Sequence, residues 1–143
     1  MKLSQKADYA LRAMLDLALN AKEKAVKTSD IARREAIPEK FLELILVDLR
    51  KAGLVKSQRG AVGGHRLGRP ASGISVGAVW RAIDGPLSPA ASLEARGRSL
   101  GVSCFHSIWE DVERSVSRVV DHVTMEDLCR KAEARRAVPD YNI

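Results

Sequence analysis

Apolar residues recur at three- and four-residue steps from Ala7 through Ala10, Leu11, Met14, Leu17, Ala18 and Ala21. That period is one face of an α-helix, so the spacing predicts a helix over 4–21 with Ser4 as its N-cap. Lys22-Glu23-Lys24 ends the pattern. Thr28-Ser29-Asp30 then opens a short helix, SDIARREA, with Ile31 and Ala32 facing inward. After Ile37, Pro38 suits the first position of a new helix, where its missing N–H would be unpaired anyway. The segment EKFLELILVDLRKAG is the most amphipathic of the chain. Its Phe41, Leu42, Ile45, Leu46 and Leu49 form a stripe to be buried, and Gly53 is its C-terminal stop.

The period then shortens. Leu54 to Gln58 alternates in part, and His65-Arg66-Leu67 returns after the turn Arg59-Gly60-Ala61-Val62-Gly63-Gly64. This predicts a β-hairpin directly after a helix–turn–helix, ended by Arg69-Pro70. Ser75 caps a fourth helix, SVGAVWRAI, with Val76, Val79, Trp80 and Ile83 inward and Asp84-Gly85-Pro86 as its stop. Residues 86–103 are rich in Pro, Ser, Ala and Gly and are expected to form a linker or mobile loop. A long helix is expected from about 105 to 122. Its narrow seam of Ile108, Val112, Val116, Val119 and Val123 is compatible with a helix–helix dimer. Thr124 to Asp127 resembles a cap for a last short helix holding Leu128 and Ala132, and the tail from Val138 has no pattern.

The expected fold is therefore mainly α with a small β-hairpin: a winged helix–turn–helix plus a long C-terminal dimerisation helix. Its parts are a DNA-binding domain over 1–85, a linker and candidate sensor loop over 86–104, and the dimerisation helix and tail over 105–143. No apolar run is long enough to span a membrane. Asp8 and Arg12 interrupt the N-terminal stretch, which argues against a secretion signal. A cytoplasmic protein with no membrane partner is the expectation.

Charge sharpens this picture. The 143 residues carry a formal net charge of +6, and 45% are apolar, enough for one folded domain. Between Asp48 and Asp84 there is no acidic residue, while Arg50, Lys51, Lys56, Arg59, Arg66, Arg69 and Arg81 fall there. Such a block favours a polyanion, because each phosphate it neutralises releases counterions; a merely solvated face is the alternative. The same stretch is rich in glycine, which lets a backbone approach another surface closely. It matches no nucleotide-binding loop.

In a helix–turn–helix the second helix enters the major groove and its N-terminal residues reach base edges. Here those are Pro38, Glu39, Lys40 and Glu43. Lys40 can contact phosphate or guanine. Glu43 can accept from a cytosine amino group, or instead serve as an intrahelical partner or a solubilising charge. Leu44 cannot read a base by hydrogen bonding. The hairpin is the wing, and Arg59 at its tip can enter a minor groove or clamp a phosphate. Arg50 and Lys51, at the end of the recognition helix, are placed for phosphate or solvent. Ser4, Thr28, Ser29, Gly63, Gly64 and His65 complete the candidate DNA-contact set.

Three blocks, MKLSQKADYALRAMLDLAL, IPEKFLELILVDLRKAGLVKSQRGAVGGHRL and ISVGAVWRAIDGPL, together with FHSIWEDVERSVSRVVDHVTMEDL, resemble the Rrf-type winged-helix regulators over nearly the whole chain. The resemblance implies a homodimeric bacterial transcription factor, usually a repressor, with the long helix of each subunit packed against its mate. It implies DNA contacts by Glu43, Arg59 and the residues near Pro38 and Lys40. The family commonly has an aromatic residue after the wing's glycine pair; here it is His65, which departs from that pattern.

Cluster-binding members of that family carry three closely spaced cysteines between the fourth helix and the dimer helix. This chain has two cysteines, Cys104 and Cys129, and only Cys104 lies there. The three-cysteine motif is absent, so no metal site or cofactor is assigned; Cys104 and His106 are the only candidates for an iron–sulfur ligand. A thiol switch at Cys104, near a helix start, is a further reading. Regulation by a small-molecule or protein effector remains open. A different class of function is an interaction module whose basic wing docks on an acidic partner. An enzyme is not expected: no nucleophile–base constellation appears, and His65, His106 and His122 lie on separate segments.

Overall fold

Ser4 starts the first helix by accepting the Ala7 N–H on its hydroxyl at 3.0 Å. The computed structural model describes residues 1–91, 93 and 97–138. Helix α1 (Gln5–Asn20) is the central post of the fold. Its alanines at 7, 10 and 13 are fully buried. Their small side chains let α2 (Thr28–Glu35), α3 (Glu39–Lys51), α4 (Val76–Asp84) and α6 (Met125–Ala137) all pack against α1.

Among the described residues the one buried charged side chain is Asp16, 2% exposed. Arg34 of α2 reaches it with two hydrogen bonds of 2.8 Å, a bidentate pair that compensates the buried carboxylate. Helix α2 ends on Ala36, in the left-handed region at φ 52°. Ala36 is thus the sharp corner between α2 and α3. Pro38 is the N-cap of α3 rather than its first residue. Leu42, Ile45, Leu46 and Leu49 of α3 are buried as the spacing predicts. Phe41 is only half-buried and meets Tyr9 edge-on at 5.6 Å.

Strands β1 (Val55–Gln58) and β2 (Gly64–Leu67) pair antiparallel, with Val55 opposite Leu67 and Ser57 opposite His65. A short 3-10 turn at Ala71–Gly73 leads into α4, capped by Ser75.

The long helix α5 runs Leu100–Val120, capped by Ser99. It starts earlier than about 105, so the last residues of the expected linker are helical. Val123 lies past its end, where its carbonyl accepts the Val76 N–H at 2.9 Å. The expected short last helix is three turns long and opens with a complete capping box between Thr124 and Asp127. Met125 and Cys129 of α6 belong to the same core as α1. The C-terminal part of the chain therefore shares the core of the winged portion. Part of the expected linker, at 92 and 94–96, and the tail beyond 138 lie outside the described residues. No helix among the described residues is long and apolar enough to cross a membrane.

Candidate nucleic-acid interface

Burial of one stripe of α3 leaves Pro38, Glu39, Lys40, Glu43 and Leu44 on the open side of the helix. Among the described residues neither Lys40 nor Glu43 forms an ion pair, so the intrahelical partner that would occupy Glu43 is not made. The helix is held in orientation by two struts. Lys6 of α1 meets Asp48 at 2.6 Å and keeps that carboxyl below its ordinary range. Arg50 donates to the Ser57 hydroxyl at 2.7 Å and so joins the end of α3 to the wing.

The wing is fixed at its base by backbone contact. Val26 and His65 exchange two hydrogen bonds, of 2.9 and 2.7 Å. Gly64 makes this approach feasible: a Cβ there would sit 2.5 Å from the Val26 carbonyl oxygen. Gly63 has the same role at the turn, 2.5 Å from the Gln58 carbonyl. Both glycines therefore shape the wing through close backbone packing.

His65 points toward α2 and pairs through Nε2 with the Thr28 hydroxyl at 2.9 Å. Its Nδ1 is buried without a partner. Burial, and then the nearby Arg50 charge, push the imidazole below its ordinary 6.5, so the ring is held neutral. In place of a stacking aromatic, the residue after the glycine pair is a tie between the wing and the start of α2. Ser29 is exposed beside it.

The basic block divides in a way its composition does not reveal. Arg66 spends its guanidinium on the carbonyls of Glu23, Ala21 and Lys22, at 2.5, 3.5 and 3.5 Å. Arg69 donates to the Ala52 carbonyl at 3.4 Å. Arg81 binds Asp121 and Ser117, at 2.6 and 2.9 Å, and so clamps α4 to α5. These three are tied to other parts of the fold. Arg50, Lys51 and the wing-tip Arg59 are exposed. Ser4 is likewise committed: its hydroxyl donates to Asp84 at 2.5 Å while capping α1.

Helix α5 buries none of its residues. Ile108 and Val119 are 49% and 64% exposed, and Val112 and Val116 are half-buried. Phe105 stacks on Trp109 at 6.1 Å on the same side. The expected seam omits both aromatics, although Val102, Phe105, Trp109, Val112 and Val116 continue the three- and four-residue steps upstream. The apolar face is thus broader than the seam, and it ends at Val120.

The chain matches the family model of Rrf2, described as an iron-dependent transcriptional regulator, over residues 3–131. It belongs to the Rrf2 family. The HTH-type transcriptional regulator IscR of Aliivibrio salmonicida is 38% identical over 144 residues, covering 100% of this chain and 86% of that protein. IscR of Vibrio atlanticus is 39% identical over 137 residues, covering 93% and 78%. Among solved structures, T. potens IscR superposes with a TM-score of 0.81 at 37% identity, covering 99% of this chain and 95% of that one. CymR, the global cysteine regulator of B. subtilis, superposes with a TM-score of 0.78 at 35% identity, covering 92% and 98%.

As an Rrf2 protein the chain is a DNA-binding transcriptional regulator of winged-helix fold, and its relatives are regulators rather than enzymes. An iron–sulfur cluster does not fit its residues. Cys104 is exposed on α5, and Cys129 is buried on α6, where burial raises its thiol pKa and favours the protonated form. His106 faces Glu110 at 3.3 Å on its own helix. Among the described residues no group of three His, Cys, Asp or Glu side chains is placed to hold a metal ion.

Proposed function

We propose that the chain acts as a homodimeric repressor that grips a palindromic operator, each subunit placing α3 in one of two successive major grooves about 34 Å apart. The observation that carries the dimer is the uncovered apolar face of α5, which a second copy of the same helix complements. Lys40 and Glu43 read base edges, Arg59 enters the adjoining minor groove, and Arg50, Lys51 and the Thr28–Ser29 helix start follow the phosphates. Repression follows from occupancy of the operator in the cytoplasm, relieved by an effector that favours a different dimer geometry.

Fluorescence anisotropy on palindromic and scrambled duplexes, with sedimentation of the free protein, tests this. The expected results are a particle of twice 15.6 kDa and preference for a palindrome, with affinity falling by about three orders of magnitude between 50 and 200 mM salt. A monomer indifferent to every duplex would favour docking on an acidic protein instead.

A further inference from the structure

The two faces of the wing differ. Ser57 and His65 are directly opposed and point toward Arg50 and Thr28, the side that continues the α3 surface. Side chains alternate along a strand, so Lys56 and Arg66, the next opposed pair, belong to the other face. A cleft of about 440 Å³ opens between the end of α1 and the base of the hairpin, and both residues of that pair line it. Leu17, Leu67 and Ala71 give it an apolar floor. Lys22, Lys56, Arg66 and Arg69 line it, and no acidic side chain does. Arg66 and Arg69 are held by carbonyl oxygens, which position the guanidinium groups without cancelling their charge. Lys22 has only an exposed contact of 3.9 Å with Glu133, and exposed pairs of that kind neutralise little.

We infer that this cleft is a binding site for a small amphipathic anion, a carboxylate or phosphate carried on a compact apolar body. The apolar part fits against Leu67 and Ala71, and the anionic head meets Lys56 and the anchored arginines. The volume suits a small-molecule ligand. The inference rests on the proposed DNA reading in one respect, that the opposite wing face is the one turned to the duplex. An occupant would bridge α1 to β2, the strand that carries the wing, and this makes the cleft a natural seat for an effector.

Calorimetry on the full chain with octanoate as probe tests the site. Octanoate should bind saturably, one per chain. Octylammonium, whose head is cationic, and inorganic phosphate, which lacks the apolar body, should bind far more weakly. Lys56→Glu should lower octanoate affinity about tenfold, and Ala71→Trp, which fills the floor, should abolish it. Circular dichroism melts confirm that both variants are folded. Absence of saturation up to about 10 mM, equal binding of octylammonium or phosphate, or unchanged affinity in Lys56→Glu would each overturn the inference. Duplex binding by the same preparation is measured separately, so that failure of the cleft and failure of the DNA reading are told apart.

Discussion

Arg59 and Arg66 are near neighbours on one hairpin, yet their surroundings differ. Arg66 is held by backbone carbonyls at the end of α1, whereas Arg59 stands exposed at the tip. Replacing Arg59 by Ala should weaken operator binding by about 1–3 kcal/mol and binding to a scrambled duplex by less. Anisotropy on both duplexes checks this; equal losses would reduce Arg59 to a phosphate clamp. His65 makes a second residue-scale prediction. Its imidazole is lowered from 6.5 by burial and by Arg50, so between 6.5 and the lower folded value the unfolded chain binds the proton first. The stability it contributes is complete above 6.5 and is lost as pH falls through that window. Thermal melts between about pH 8 and pH 5 should show this fall, and His65→Gln should flatten it.

The helices with regular apolar steps were legible because a buried stripe repeats with the helical period. Helices α1, α3 and α4 stand where the spacing of their apolar residues predicts. The start of α5 was not, because the Ser- and Gly-containing stretch before Cys104 reads as loop until Ser99 is seen as a cap. Pairings distant in sequence left no trace either. Asp16 falls among apolar positions of α1, and only the fold brings Arg34 to it. Likewise, the buried and exposed sides of α3 were readable from its apolar spacing, but the tie between His65 and Thr28 was not. The Asp16–Arg34 pair carries the prediction at this scale. Arg34→Ala leaves a carboxylate buried and uncompensated, so urea denaturation should show a loss of about 3 kcal/mol. A change within about 0.5 kcal/mol would mean that Asp16 is readily rehydrated.

At the scale of the molecule, the winged core and the long helix are joined at few places. Arg81 grips Ser117 and Asp121, and the Val76 N–H meets the Val123 carbonyl, both at the C-terminal end of α5. The upstream turns carry the broad apolar face, with Leu100 80% exposed. Ile108→Glu should therefore spare the fold of the single chain and shift sedimentation from dimer to monomer. Operator affinity should fall by a factor of about ten or more, because the second half-site no longer binds from a linked subunit. An unchanged sedimentation coefficient would count against a dimer built on this face of α5.

Among the described residues α5 is tied to the winged core near its C-terminal end, and in the single chain this makes it a cantilever. From Ser117 back to Leu100 the helix extends about 25 Å, at 1.5 Å per residue. A tilt of a few degrees at the anchored root would displace the N-terminal tip by an ångström or two. Conversely, a push at the tip reaches the Arg81 joint with the leverage of the whole rod.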